Sequence, residues 1–192
     1  MATTDTRAFG GFGGIQLDFD ERKAAAAAAV LLKHAGGRMP YMRLIKLLYL
    51  ADRESLDRTG RPIIGGRYVA MKYGPVLSQV LDLVKGEGAS LWSGVIQRDC
   101  FDVLLVGEPD LGPLSQVEID LLREAAQLCE KLDQWKLADF THTFPEWKDP
   151  GTGAFDIAPE EILRALGKTD EEIEEARQAA NERAHFDSLF GR

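Results

Sequence analysis

The sequence has little of the material from which secreted, membrane-spanning or disulfide-stapled proteins are built. Its 192 residues include two cysteines, at positions 100 and 129. The cysteines form no C-x-x-C pair, which favours free thiols in a reducing compartment. No apolar run approaches the roughly 18 residues that a bilayer crossing needs. The first residues lack a basic segment followed by an apolar one, so we expect no secretory signal and a cytoplasmic protein.

Familiar arrangements of catalytic residues are missing too. The three histidines, His34, His142 and His185, are widely separated in the sequence. The chain contains no G-x-S-x-G and no H-E-x-x-H motif. The glycine-rich stretch 9–14 lacks the Gly-Lys-Ser/Thr ending of a phosphate-binding loop. We therefore expect no enzyme, no cofactor and no metal site, and an unrecognised site around His142 is the catalytic alternative that stays open.

Charge is divided unevenly along the chain, which carries 31 acidic and 23 basic residues and a net charge of -8. Residues 1–100 hold 14 basic and 10 acidic side chains, a net of +4, whereas residues 101–192 hold 9 and 21, a net of -12. The acidic balance argues against a general nucleic-acid coat and against a basic membrane-binding protein. If charge steers a partner, we expect a basic partner against the acidic second half.

Hydrophobic periodicity predicts a mainly α (α+β) fold, a compact domain of about six to eight helices with a small antiparallel β hairpin. Asp20 can cap a first helix through the alanine run 24–29. A second helix over 41–58 has a broad apolar face. Pro75 is predicted to open a third helix over 76–85, and the hairpin is placed within 95–106.

The chain that follows the hairpin is predicted to be mainly helical. Ser115 with Glu118, and Thr169 with Glu172, form capping-box patterns that open two helices. The predicted organisation is a flexible glycine-rich arm over 1–19, a helical domain over 20–168 and an acidic C-terminal helix or tail over 169–192.

Polar residues of the second helix fall on the stripe opposite its apolar face. Arg43, Lys46 and Arg53 are therefore expected to face solvent or a partner. Such a basic stripe can contact DNA phosphates. The net positive charge of residues 1–100 gives the alternative of a DNA-binding transcriptional regulator of its own operon. No second helix follows after the short turn that a helix-turn-helix requires, so nucleic acid is disfavoured as a partner.

A set of motifs occurs in a fixed order along the chain. YMRLIKLLYLADR at 41–53 is followed by GRPI at 60–63, Tyr68, YGPV at 73–76 and HTFPEW at 142–147. In this order the motifs resemble the signature of the Panacea-domain family of antitoxins and phage-associated proteins, which includes the SocA-type antitoxins. The resemblance covers about residues 22–165.

The resemblance implies a mostly helical fold with a small β element and a bacterial antitoxin encoded next to a toxin. It implies that the protein neutralises its cognate toxin by direct protein binding. Resemblance to the SocA type implies a proteolytic adaptor, which delivers the toxin to the ClpXP protease. The residues do not distinguish these two routes, and they leave a homodimer open as well.

Several motif residues also have a structural interpretation. Leu44, Leu47 and Leu48 are expected in the core, and Tyr49 can bury its ring if its hydroxyl is hydrogen-bonded. Asp52, a carboxylate on a largely apolar helix, is expected to anchor a neighbouring loop through Arg61 or through backbone N–H groups.

The candidate contacts to the toxin are cations and aromatic residues in or near the motifs and in the last helix. Trp147 is either a lid over the core or an exposed anchor for a partner. The full set of predicted partner-binding residues is Arg43, Lys46, Arg53, Lys72, Trp147, Phe186 and Phe190.

Overall fold

The computed structural model describes residues 14–87 and 90–190. Within these ranges the chain is mainly α with a small β part, which confirms the predicted fold class. None of the described helices combines the length and hydropathy that a bilayer crossing requires. The helices are α1 (Glu21–His34), α2 (Tyr41–Thr59), α3 (Ser78–Lys85), α4 (Ser90–Val95), α5 (Gln116–Leu128), α6 (Gln134–His142), α7 (Pro159–Ala165) and α8 (Asp170–Phe190).

The strands of the described ranges are β1 (Arg38–Pro40), β2 (Tyr68–Met71), β3 (Gly74–Leu77), β4 (Ile96–Asp99), β5 (Asp102–Leu105) and β6 (Phe155–Ile157). They form two antiparallel sheets of three strands each, in the orders β1-β5-β4 and β3-β2-β6. The predicted hairpin within 95–106 is present as β4 and β5, with Ile96 opposite Leu105.

The alanine-rich helix α1 lies inside the domain. Its N-cap Asp20 accepts a hydrogen bond from the backbone N–H of Lys23, as predicted, and every alanine of the run 24–29 is buried. Because alanine side chains are small, α1 can lie close to α4 and α5, both of which it contacts.

Helix α2 is the central scaffold, since it packs against α1, α5, α6 and β3. Leu44, Leu47 and Leu48 are buried, which confirms their predicted place in the core. The helix ends at Gly60, whose φ of 68° is the left-handed conformation typical of a helix C-terminus.

The β3 strand corrects the predicted third helix. That helix begins at Ser78 instead of at Val76, because Gly74 to Leu77 pair with β2. The sequence signal was ambiguous here, since a proline can open a helix or stand at the start of a short edge strand.

The first described residues and the first turns of α8 pack against the domain. Ile15 is buried, and its backbone N–H donates to Glu160 Oε1 over 2.7 Å. Glu160 also pairs with Arg177 of α8, and Ile173 of α8 is buried. Residues 14–19 thus contact the domain through Ile15, and the division into arm, domain and tail stays a prediction. The rest of the predicted arm lies outside the described residues.

Candidate functional site

The carboxylate of Asp52 holds the loop that follows α2. It accepts hydrogen bonds from the backbone N–H groups of Ile63, Ile64 and Gly65 and from the Tyr68 hydroxyl, at 2.8 to 3.2 Å. Burial raises the pKa of Asp52 to about 6, and the four donors act in the opposite direction because they stabilise the ionised form. The predicted loop anchor is confirmed, with backbone N–H groups as the partners.

A glycine lets three elements meet at the β2–β3 turn. Gly74 has a φ of 91°, and a Cβ at this position would collide with Thr141 Oγ1 and would lie 2.9 Å from Lys46 Nζ. Any larger residue would therefore be strained in its backbone and would collide with α6 and α2. The structure of the turn thus explains why the YGPV motif has a glycine at this position.

Lys46 is buried against this turn. Only 1% of the residue is exposed, and Nζ donates to the carbonyl oxygen of Pro75 over 2.7 Å. Burial lowers the pKa of Lys46 to about 7, because the charged ammonium is poorly solvated there. The prediction of a solvent-facing Lys46 is wrong, since the β2–β3 turn and α6 cover that side of α2.

Titration of Lys46 is expected to make the free energy of unfolding depend on pH. The unfolded chain keeps this proton up to about pH 10.5, whereas the folded chain releases it near pH 7, so the stability linked to neutral Lys46 is lost as the pH falls between these values. Lys46→Met removes the titrating group. The free energy of unfolding of Lys46→Met, relative to that of the unaltered protein, should therefore increase by about 2–4 kcal/mol from pH 10 to pH 6.5.

Urea denaturation of both proteins at the two pH values measures this difference. Lys33→Met, at a half-exposed lysine of α1, is the matched control and should show no such growth. An advantage of Lys46→Met that is equal at both pH values would contradict the assignment.

A second buried carboxylate, that of Glu146, binds side chains of α2. Glu146 Oε1 accepts from the Tyr49 hydroxyl over 2.9 Å and from Arg53 Nε over 2.7 Å. The Arg53 guanidinium also lies 4.4 Å from the centre of the Phe144 ring. Burial, followed by the negative charge of Glu146, raises the pKa of Tyr49 well above its ordinary value.

This network confirms the hydrogen-bonded, buried Tyr49 and corrects the prediction for Arg53. The arginine side chain is only 15% exposed and is committed to Glu146. The sequence contains a partial indication of this role, because Glu146 lies inside the HTFPEW motif. The candidate residues of that motif were its histidine and its tryptophan.

Arg43 is half-buried and binds the chain that follows α5. Its guanidinium donates to the carbonyl oxygens of Leu132, Cys129 and Glu130. A cation near a helix C-terminus satisfies carbonyl groups that lack partners within the helix. Arg43 therefore ties α2 to the end of α5, which corrects the prediction that it faces solvent.

Trp147 and His142 lie next to the β2–β3 turn. Their rings stack with centroids 4.0 Å apart, and Trp147 Nε1 donates to the carbonyl oxygen of Met71 over 3.0 Å. Trp147 is half-buried, which fits the predicted lid over the core better than an exposed anchor. Within the described residues His142 Nε2 is buried without a hydrogen-bond partner.

Exposed aromatic side chains lie on the outer side of the same turn. Tyr73 is 49% exposed and Trp135 is 54% exposed. Their rings meet edge to face with centroids 5.7 Å apart, and Lys72 Nζ lies 5.6 Å from the centre of the Tyr73 ring. We name Lys72, Tyr73 and Trp135 the aromatic patch. Lys72 was predicted as a contact residue, whereas Tyr73 and Trp135 were not, since nothing in the sequence marks an aromatic residue as exposed.

The two predicted contact residues of α8 lie apart from these motifs in the sequence. Phe186 is 54% exposed, and the side chain of Phe190 lies outside the described residues.

A cavity of about 250 Å³ opens beside the aromatic patch, between the start of α2, the β2–β3 turn and the 151–153 loop. Its walls include Tyr41, Ile45, Met71 and Leu81, which are apolar or aromatic, and Lys46 also lines it. We name it the Lys46 cavity.

The motif residues thus build a mainly helical scaffold, and exposed aromatic side chains lie on it beside a cavity. A family model described as antitoxin SocA-like, Panacea domain, matches residues 44–148, more than half of the chain. The chain therefore belongs to the SocA-like Panacea-domain antitoxin family. No curated protein and no solved structure matches it significantly.

Proposed function

We propose that this protein is an antitoxin that acts in the cytoplasm by binding its cognate toxin, with no catalytic step of its own. The observation that carries the proposal is the family match over residues 44–148. This range contains Lys46, Asp52, Gly74 and Glu146, whose contacts hold the scaffold together, and it also contains the aromatic patch.

The aromatic patch is the surface that we assign to the toxin. Tyrosine and tryptophan bury a large apolar area and keep one polar group, which makes them frequent energetic centres of protein interfaces. Tyr73 and Trp135 already contact one another, so little side-chain freedom is lost on binding. Arg43, Lys46 and Arg53, in contrast, are held by internal contacts.

Substitutions in the aromatic patch are expected to weaken the binding of the antitoxin to the toxin. Tyr73→Ala and Trp135→Ala should each weaken toxin binding by about 30-fold, because each removes an aromatic anchor worth about 2 kcal/mol. Copurification and calorimetry with the toxin of the adjacent gene measure the loss, and growth after co-expression measures rescue. Leu91→Ala, at an exposed leucine of α4, is the control and should bind normally.

Failure of the unaltered protein to rescue cells or to bind that toxin would overturn the proposed function. Full binding by the folded double variant at Tyr73 and Trp135 would overturn only the assignment of the surface.

The two routes of neutralisation differ in what happens to the toxin. If the protein is an adaptor, the half-life of the toxin should shorten only when this protein and the ClpXP protease are both present. If it blocks the toxin directly, the half-life should not change while rescue persists.

The alternative function is a DNA-binding transcriptional regulator, suggested by the net positive charge of residues 1–100. Arg43, Lys46 and Arg53 of α2 donate to carbonyl oxygens and to Glu146. Since these groups are committed inside the domain, the basic stripe of α2 does not support contact with phosphates.

A further inference from the structure

The Lys46 cavity has a shape and a lining that the antitoxin proposal does not use. Its walls are largely apolar, and Ile45, Met71 and Leu81 contribute to them. A space of about 250 Å³ is small for a drug-sized ligand and suits a phenyl group or a short alkyl chain with one polar end.

The ammonium of Lys46 is incompletely satisfied next to this space. It has three N–H donors, and among the described residues its recorded acceptor is the carbonyl oxygen of Pro75. The ammonium lies beside Gly74, which also lines the cavity. A buried cation with unused donors destabilises a fold, and an anion placed against it offsets that effect.

We propose that the Lys46 cavity binds a ligand that joins an apolar body to a single carboxylate. The carboxylate lies against the Lys46 ammonium, and the apolar body lies against Ile45, Met71 and Leu81. One buried cation matches one negative charge, and Lys72 adds positive charge among the lining residues. This site goes beyond toxin neutralisation, since it requires no toxin.

Such a carboxylate can come from a free small molecule or from a protein partner that presents an acidic group next to an apolar side chain. The chemistry that Lys46 recognises is the same in both cases, so the site is tested first with a simple probe. The source is then tested by competition.

The test uses the full chain at about pH 6, below the pKa of about 7 at which Lys46 releases its proton, so that the ammonium is charged. Binding of 3-phenylpropanoate is followed by NMR of the backbone amides or by calorimetry. We expect saturable binding with a Kd of about 1 mM and shifts at residues 71–74. The neutral probe 3-phenylpropanamide should bind at least about 10-fold more weakly, because it cannot pair with the ammonium.

Lys46→Met should lose at least about 10-fold in affinity for 3-phenylpropanoate while remaining folded, since it removes a buried charge and keeps the length of the side chain. Lys33→Met should bind as the unaltered protein does. Absence of saturable binding, equal binding of acid and amide to the unaltered protein, or unchanged affinity in folded Lys46→Met would each overturn the proposal.

Competition with the purified toxin identifies the source. Displacement of 3-phenylpropanoate by the toxin supports the site with a carboxylate from the partner. Simultaneous binding of both supports the site with a free small molecule. Loss of toxin neutralisation with intact probe binding would overturn the antitoxin function and leave this site standing.

Discussion

Asp52→Ala is expected to be the most damaging single substitution in the α2 region, with a loss of about 4–6 kcal/mol in free energy of unfolding. Alanine removes the acceptor of three backbone N–H groups and of the Tyr68 hydroxyl, all of them buried. Each buried donor left without a partner costs about 1–3 kcal/mol. Because domains are stable by only about 5–15 kcal/mol, this loss removes a large share of the stability of the domain.

Chemical denaturation and circular dichroism measure this loss, with two substitutions for comparison. Asp52→Asn keeps one acceptor oxygen and removes the buried charge, so it should lose less than alanine does. Asp57→Ala, on the same helix, removes a partly exposed carboxylate paired with Lys168 and should cost at most about 1 kcal/mol. Equal losses for Asp52→Ala and Asp57→Ala would show that the loop does not depend on the buried carboxylate.

The sequence was informative wherever one residue type determines a local structure. The capping boxes at Ser115 and Thr169 are present, with reciprocal hydrogen bonds to Glu118 and Glu172. Asp52 was predictable as an anchor, since a carboxylate on an apolar helix needs donors. The capping boxes join residues three positions apart, whereas the donors to Asp52 lie 11 to 16 positions further along the chain, so the sequence indicated the need for donors but did not specify them.

The contacts of the candidate site could not be predicted because they depend on chain that is distant in the sequence. Periodicity places Lys46 opposite the apolar face of α2, yet the β2–β3 turn and α6 bury it. The strand β3 was not predicted, because its proline is also compatible with the start of a helix. The pairing of Tyr73 with Trp135 joins residues 62 positions apart, and no local pattern specifies it.

Glu146 is the motif residue whose role emerged only from the structure, and its removal is the second large effect that we expect. Glu146→Ala leaves the Arg53 guanidinium, only 15% exposed, without its carboxylate, and it leaves the Tyr49 hydroxyl without its acceptor. Removing one partner of a buried ion pair typically costs 3–5 kcal/mol. We expect a loss of about 4 kcal/mol in free energy of unfolding, measured by urea denaturation.

A double-mutant cycle distinguishes this pair from a sum of independent contacts. Arg53→Met alone should also destabilise, because it leaves the Glu146 carboxylate buried beside Tyr49. The cycle compares Arg53→Met, Glu146→Met and the variant that carries both substitutions. The double variant should lose less than the two single losses combined, with a coupling energy of about 2–3 kcal/mol. The pair Glu54 and Arg58, exposed on the same helix, provides the control, since its coupling should stay near 0.5 kcal/mol or below, about the value for exposed helical pairs. Equal coupling in the two cycles would mean that burial of Glu146 adds nothing, and that the HTFPEW segment is held on α2 by its aromatic contacts alone.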